Sequence, residues 1–261
     1  MTLALKARIA RRDPLIGTFV FLPSPEVIEI LALSGMDYVI IDMEHSPKDW
    51  QTLQHMIRAA DIHRLPVLIR VRAIDPKLIL QCLEIGAEGI VLPFVQQAAD
   101  VMTATAAAFY PPTGTRGTCT LTRMTGYGAR RSEFLQYCRD QDQRVVIVAQ
   151  VEDPIGVNNI DSIVAVTPAI DAILVGRSDL ASAFGQPGQV DARPVLDATD
   201  RIIETAHRRP DGPAVAMGLY TPEEREYWHA KGCTMFFGAS DGAILHRAAS
   251  EWVRGIRPAA G

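Results

Sequence analysis

Four apolar runs of this sequence end in charged side chains that could perform acid–base chemistry or hold a metal ion. The runs are residues 37–45, 66–72, 145–153 and 171–180. Their charged ends are Asp42, Glu44 and His45; Arg70 and Arg72; Glu152 and Asp153; and Arg177 and Asp179. A parallel α/β barrel gathers its reactive side chains at the carboxyl ends of its strands. If the four runs are strands of such a barrel, their charged ends share one site.

Glu152 and Asp179 predict a divalent cation site. They follow two consecutive β-like runs, and neighbouring strands lie about 4.8 Å apart, so carboxylates at their ends can reach one ion. Mg²⁺, Mn²⁺ and Co²⁺ accept two carboxylates and complete their coordination with water or substrate oxygens. The alternative is that each carboxylate caps the helix that follows it. We expect the pair to bind metal.

The DMEH stretch predicts a proton-transfer group. Asp42 and Glu44 share one face of the predicted strand, and His45 lies just beyond them. A carboxylate beside an imidazole fixes its tautomer and raises its basicity. We therefore expect Asp42 and His45 to be catalytic. The alternative is a histidine packed in a loop and bonded to the backbone.

A buried arginine is predicted at position 70, within the apolar run PVLIRV. A buried guanidinium must be paired, and its planar fork matches a carboxylate. The partner of Arg70 is either Asp42 or Glu44, in a structural ion pair, or the carboxylate of a small acid substrate. Arg72, two positions further on, is expected at the surface.

The elements that position these residues repeat through the chain. Eight β-like runs alternate with helical patterns from residue 15 to residue 257. Near-continuous apolar strands between helices are typical of a parallel sheet covered on both faces. The 261 residues suit a single (β/α)₈ TIM barrel, which has about 250. A doubly wound open sheet is the alternative, but no GxGxxG follows the first strand. We expect one domain over residues 1–261.

One long stretch, residues 111–130, interrupts this alternation. It is rich in Gly, Thr and Arg and has no clear period. A loop of this length within a compact domain is functional or disordered. Its motif PPTGTRG is either an anion or substrate loop, because glycines permit a close backbone approach, or a flexible connection.

Composition excludes several classes of partner. The net charge is −4, so no basic surface for nucleic acid is expected. The apolar runs are too short to cross a bilayer, so no membrane association is expected either. The four cysteines are dispersed without metal-ligand spacing, as in the reduced thiols of a cytoplasmic protein.

Together these motifs resemble the class II pyruvate-type aldolases of the HpcH/HpaI family. The resemblance covers most of the chain through GTFV, SGMDYVIIDMEHSP, PVLIRV, GAEGIVLPFV, PPTGTRG, VEDPIGVNNIDSI, DAILVGRSDLA and FGQPGQ. The DxEHxP stretch and the two spaced acidic motifs are specific in combination. The family includes 4-hydroxy-2-oxoheptanedioate aldolase and 2-dehydro-3-deoxyglucarate aldolase, of aromatic and sugar acid catabolism.

The resemblance implies a TIM barrel of the phosphoenolpyruvate/pyruvate type, assembled as a homohexamer (a trimer of dimers) with its eighth helix swapped between subunits. It implies a metal-dependent aldolase that makes or breaks the carbon–carbon bond of a 4-hydroxy-2-oxo acid. Pyruvate or hydroxypyruvate would be the donor, and an aldehyde the acceptor. The implied roles are Glu152 and Asp179 as metal ligands, Arg70 on the pyruvyl group, His45 supported by Asp42 in proton transfer, and Gly176, Arg177 and Ser178 around the pyruvate carboxylate.

Two departures from the family pattern concern substrate choice. VED replaces the common IET or IES and puts Asp153 beside an expected metal ligand; GRSDLA replaces GPxDLS and adds Arg177 near the carboxylate site. This extra charge at the rim is expected to select a different acceptor. Two alternative functions stay open: a thioester lyase of the malyl-CoA or citryl type, and a non-catalytic pyruvate-binding barrel. No lysine ends a predicted strand, which argues against a Schiff-base aldolase.

Overall fold

Eight parallel strands close into a barrel in the computed structural model, which describes residues 4–166 and 170–257. The strands pair in chain order, and β8 pairs with β1. They are β1 Leu15–Val20, β2 Tyr38–Asp42, β3 Val67–Arg70, β4 Gly89–Leu92, β5 Val146–Val151, β6 Ala172–Val175, β7 Ala214–Gly218 and β8 Met235–Phe237. The predicted TIM barrel is confirmed. The single domain expected over 1–261 includes residues 1–3, 167–169 and 258–261, which lie outside the described residues.

Helices surround this barrel and follow its strands. Those in the described residues are α1 Leu5–Ala10, α2 Pro25–Leu33, α3 Trp50–His63, α4 Pro76–Ile85, α5 Ala98–Ala108, α6 Phe134–Arg144, α7 Pro154–Asn158, α8 Ile160–Val164, α9 Arg177–Ala183, α10 Arg193–His207, α11 Glu224–Ala230 and α12 Asp241–Ile256. Side chains that accept backbone N–H bonds start several of them, because the first turn leaves those donors unpaired. These caps are Ser24, Asp49, Asp75, Asp153 and Ser240.

The strands are buried on both faces, which explains their nearly continuous apolar sequence. On β2, Val39 and Ile41 pack outward against the helices, whereas Tyr38 and Ile40 pack inside the barrel. Helix α1 closes the amino-terminal end of the barrel, since its Leu5 joins the inner core. The inner core therefore blocks that end, and the carboxyl ends of the strands are left for a site.

The predicted end of one strand was wrong. Strand β2 ends at Asp42, because the Asp42 carboxylate accepts the backbone N–H groups of Glu44 and His45 and turns the chain. Strand β6 ends at Val175, and Asp179 follows it in the first turn of α9, in agreement with its predicted position beyond the strand. The segment that follows β5 forms two short helices, α7 and α8.

Helix α12 differs from the other long helices because Asp241 is its only buried residue. Its apolar side chains Leu245, Trp252 and Ile256 are 61%, 72% and 67% exposed. All four cysteines are free, as expected. Among the described residues, no helix has both the length and the hydropathy that crossing a membrane would require.

Candidate active site

A cavity of about 200 Å³ opens at the carboxyl ends of the strands, the end at which barrel enzymes carry their active sites. Side chains from β1, β3, β5, β6 and β8 and from the loops after them form its wall. The wall includes Phe19, Phe21, Arg70, Gln150, Gly176, Arg177, Ser178, Asp179, Tyr220 and Phe237. Five of the predicted site residues therefore meet at this cavity.

Glu152 lies buried directly after β5 and beside Asp179. The backbone N–H of Phe94 donates to Glu152 Oε1 at 2.9 Å, and Gln150 Nε2 donates to Oε2. Burial raises the pKa of Glu152 to about 7; the two hydrogen bonds oppose this rise, and the Asp179 charge adds to it. The buried Glu152 carboxylate and the half-buried Asp179 carboxylate repel each other, and a cation between them would remove that repulsion.

Gly176 permits the close approach of the β6–α9 turn to Glu152. A Cβ atom at position 176 would lie 2.5 Å from Glu152 Cβ and 2.8 Å from Glu152 Oε2. Any larger residue would displace the carboxylate, so glycine is needed here for space. Helix α9 starts at the next residue and carries Asp179 in its first turn.

The donor set fits a hard divalent cation. Within residues 4–166 and 170–257, no three His, Cys, Asp or Glu side chains are grouped to share an ion, so the protein offers the carboxylates of Glu152 and Asp179. Mg²⁺ typically binds one or two carboxylates and keeps several waters. Gln150 Oε1 lies buried in the same wall and has no hydrogen-bond partner in the described protein. The site thus offers a cation two carboxylates and one further oxygen atom, Gln150 Oε1.

Arg70 ends β3 and forms an ion pair with the end of β2. Its Nε donates to Asp42 Oδ1 at 2.6 Å, and its Nη1 lies 3.2 Å from Glu44 Oε2. The guanidinium carbon lies 4.7 Å from the centre of the Phe19 ring. The structural ion pair is therefore formed. Because Arg70 also lines the cavity, this pairing is compatible with contact to a ligand.

The expected contact between the Asp42 carboxylate and the imidazole of His45 is not formed. Its two oxygens are held by Arg70 and by the backbone N–H groups of Glu44 and His45. Instead, Glu44 Oε2 lies 3.7 Å from His45 Nε2, and the imidazole is 59% exposed. Burial raises the pKa of Glu44, while the charges of Arg70 and His45 oppose the rise. Glu44 is thus the carboxylate nearest the imidazole.

The side chain of Arg177 is directed away from the rim where its charge was expected. Its Nη2 donates to Gly218 O at 2.8 Å and to Glu224 Oε2 at 2.7 Å. The guanidinium carbon lies 4.9 Å from the rings of both Tyr220 and Trp228. A buried guanidinium needs this pairing, and α11 provides it. The neighbouring Ser178 Oγ lies 2.7 Å from the Tyr220 hydroxyl.

Lys48 and Asp241 support the site through backbone contacts, and Lys48 was missed in the sequence. Lys48 Nζ donates to the carbonyl oxygens of Phe21 and Asp42, both at 2.9 Å, and so joins the ends of β1 and β2. The Asp241 carboxylate accepts the backbone N–H groups of Phe21 and Leu22 at 3.0 and 2.9 Å. Burial lowers the pKa of Lys48. Nothing in the local sequence signals either contact, because both join segments that are distant in the chain.

The PPTGTRG motif does not line the cavity. Its Arg116 is buried, with the guanidinium carbon 4.7 Å from the Tyr110 ring, and none of its three side-chain nitrogens has a hydrogen-bond partner in the described protein. Arg123 in the same loop donates to Ile85 O at 3.0 Å and pairs with Asp61. The loop is thus packed on α3, α4 and α5 rather than over the barrel mouth.

The barrel, the paired carboxylates and the arginine define a lyase-type site, and comparison gives the family. The family model described as HpcH/HpaI aldolase/citrate lyase matches residues 15–247. The chain belongs to this family, whose members are enzymes that make or break carbon–carbon bonds. The resemblance seen in the sequence motifs is thereby confirmed.

Named relatives and a solved structure agree with this assignment. The chain is 35% identical over 209 residues to 5-keto-4-deoxy-D-glucarate aldolase of Enterobacter sp. (strain 638), covering 79% of this chain and 80% of the relative. It is 34% identical over 209 residues to pyruvate aldolase of Rhizobium etli, covering 80% and 79%. A crystal structure of a family protein from Burkholderia cenocepacia J2315 superposes with a TM-score of 0.89 at 29% identity, covering 97% of this chain and 98% of the other.

Proposed function

We propose that this chain is a divalent-metal-dependent aldolase that makes or breaks the carbon–carbon bond of a 4-hydroxy-2-oxo acid. Pyruvate, or a close analogue such as hydroxypyruvate, is the donor, and an aldehyde is the acceptor. The observation that carries the proposal is the pairing of Glu152 with Asp179 in the cavity that Arg70 also lines. The names of the two curated relatives, a glucarate-derived aldolase and a pyruvate aldolase, support the same reaction class.

Each residue has a separate role in this proposal. Glu152 and Asp179 would hold Mg²⁺, Mn²⁺ or Co²⁺, and the ion when bound supplies Lewis-acid stabilisation of enolate charge. Arg70 binds the oxygens of the pyruvyl group and is oriented by Asp42. The backbone around Gly176, Arg177 and Ser178 binds the donor carboxylate in the cavity wall.

Proton transfer is assigned to His45. In cleavage a base removes the proton of the 4-hydroxyl group, and the electrons of the broken bond pass to the pyruvyl fragment. Glu44 is the carboxylate near the imidazole, at 3.7 Å, so it replaces Asp42 as the carboxylate partner of the ring. Asp42 acts through Arg70 and through the turn that holds residues 44 and 45.

The test is metal-dependent release of pyruvate from a panel of 4-hydroxy-2-oxo acids. Activity is expected with Mg²⁺, Mn²⁺ or Co²⁺ and is expected to disappear with a chelator. Arg70→Ala is expected to lower kcat/KM by about a hundredfold or more, because it removes a charged contact to the reacting group. Arg72→Ala is the matched control, since Arg72 lies two positions further on and is exposed. Pyruvate binding without turnover would instead support a non-catalytic barrel.

We also propose a homohexamer in which α12 is exchanged between subunits. Its exposed stripe of Leu245, Trp252 and Ile256 needs an apolar partner. A groove of about 220 Å³ that includes Ile16, 47% exposed, and Pro222 runs along the barrel wall beside it. The apolar stripe of α12 from a second copy would match the apolar residues of this groove.

Light scattering of the eluted protein tests this assembly. Trp252→Glu places a charge in the apolar stripe and is expected to reduce the molar mass below that of a hexamer. Arg254→Glu adds the same side chain on the opposite face of α12 and is expected to leave the mass unchanged. Equal masses for the two variants would contradict the exchange of α12. With four free thiols, we propose a reducing, cytoplasmic location.

A further inference from the structure

The cavity has an aromatic side that none of the assigned roles uses. Phe19 and Phe21 lie at the end of β1, Phe237 ends β8, and Tyr220 follows β7. The Phe19 and Phe237 rings are 5.2 Å apart in an edge-to-face arrangement, and Phe19 and Phe21 are 6.2 Å apart. In the closed strand order β5 is four strands from β1. Phe19 and Phe21 therefore lie across the barrel from Glu152.

Both cations in the cavity wall are already paired. Arg70 contacts Asp42 and Glu44 and is assigned to the donor. Arg177 is bonded to Glu224 and to Gly218 O, between two aromatic rings. Among the described residues that line the cavity, the remaining charge is that of Asp179, which the proposed function assigns to the metal ion.

An acceptor carboxylate would therefore enter an unfavourable environment. It would lose hydration and would gain no free cation from the described residues that line the cavity. Burial of an unpaired carboxylate is costly, whereas an apolar group gains by leaving water for an aromatic wall. The Tyr220 hydroxyl, an uncharged polar group of the cavity wall, is already bonded to Ser178 Oγ at 2.7 Å.

From this arrangement we infer that the acceptor is an aldehyde with an uncharged, apolar substituent, bound against Phe19, Phe21, Phe237 and Tyr220. This inference rests on the proposed aldolase function and restricts the class of aldehyde that serves as its acceptor. The substituent packs on the aromatic side while pyruvate occupies the Glu152 side. The enolate carbon of pyruvate then bonds to the aldehyde carbon, and the aldehyde oxygen takes a proton to give the 4-hydroxy-2-oxo acid. The methyl proton that pyruvate loses in forming the enolate balances the proton that the aldehyde oxygen takes, and no redox partner is needed.

Two aldehydes of nearly the same shape test the inference in the condensation direction. They are 4-methylpentanal and 4-oxobutanoate, which differ by an isopropyl group in place of a carboxylate. With pyruvate and Mn²⁺, kcat/KM is expected to be at least roughly tenfold higher for 4-methylpentanal. A preference for 4-oxobutanoate, or equal rates, overturns the inference.

Exchange of the pyruvate methyl protons in D₂O, followed by NMR, separates this result from the proposed function. Exchange reports formation of the donor enolate without any acceptor. Metal-dependent exchange together with a preference for 4-oxobutanoate leaves the aldolase proposal standing and removes the apolar acceptor. Absence of both exchange and condensation overturns the two proposals together.

A cation placed in the aromatic wall should reverse the preference. Phe237→Arg is expected to move the ratio of the two kcat/KM values roughly tenfold toward 4-oxobutanoate. Phe237→Leu is the control and is expected to keep the apolar preference, because it changes shape without adding charge. Phe21→Arg repeats the test from β1 if the first variant does not fold. An unchanged ratio in folded arginine variants counts against an acceptor bound at this wall.

Discussion

The raised pKa of Glu152 predicts an unusual pH dependence of stability in the metal-free protein. Burial raises the pKa of Glu152 from 4.5 to about 7. The folded state therefore binds this proton more tightly than the unfolded state. The resulting stabilisation is fully present below the unfolded pKa and is lost as the pH rises through about 7. At 1.36 kcal/mol per pKa unit, the total is about 3 kcal/mol, and most of it falls between about pH 5 and 8.

Thermal unfolding in a chelator measures this effect. For a chain of this size about 1 kcal/mol shifts Tm by roughly 2–4 °C, so the Glu152 contribution should lower Tm by roughly 5–10 °C between about pH 5 and 8. The glutamine of the Glu152→Gln variant does not titrate, so this variant should not show the part of the Tm decrease that Glu152 causes. Glu251→Gln, on the exposed face of α12, corrects for the general loss of one carboxylate.

Metal should reverse the effect in the wild type alone. Added Mn²⁺ at about pH 8 should raise the wild-type Tm, because a cation stabilises the two ionised carboxylates. Glu152→Gln should respond much less. If the Tm difference between wild type and Glu152→Gln stays constant across this pH range in chelator, the reasoning about the buried carboxylate pair is refuted.

Two further predictions concern single substitutions. Gly176→Ala should lower kcat/KM by about a hundredfold and weaken metal binding, because its Cβ would displace Glu152. Gly238→Ala in the same cavity is the control, because a Cβ at position 238 would have open space around it. This variant should change kcat/KM and metal binding little. Equal losses of kcat/KM and metal binding in the two variants would contradict the steric explanation. Arg116→Met should raise the free energy of unfolding by about 1 kcal/mol, because the buried guanidinium lacks hydrogen-bond partners. Arg123→Met should lower the free energy of unfolding, since Arg123 has hydrogen-bond and ion-pair partners. Urea denaturation measures both variants, and a change of the same sign in the two free energies would contradict this prediction.

The barrel was predictable because its signal is local and repeated. Each strand is buried on both faces, so its apolar run is visible in the sequence, and the helices between the runs require parallel pairing. The same repetition brought Glu152 and Asp179 together in the prediction, because the carboxyl ends of parallel strands meet at one end of a barrel. The exact boundaries were less predictable. The turn after Asp42, for example, depends on a side chain that bonds its own backbone two and three residues later.

Side-chain direction could not be predicted in the same way. Asp42 could have served the imidazole or the arginine, and the register of β2 with β3 decides for Arg70, which it places opposite Asp42. Arg177 follows a strand like the other charged residues, yet Glu224 and Trp228 of α11 and the Tyr220 ring after β7 hold its guanidinium away from the rim. Lys48 and Asp241 bond to backbone groups of another strand end, and no residue type in the sequence identifies such partners.

The sequence by itself determined the class of fold, the family and the residue types available at the strand ends, because these follow from periodicity and from motifs along the chain. The tertiary structure decided which of those side chains face one cavity and which form hydrogen bonds or ion pairs with residues of other elements. The physical reason is that charge pairing and burial depend on distances between segments far apart in the chain. Those distances exist only once the barrel has closed.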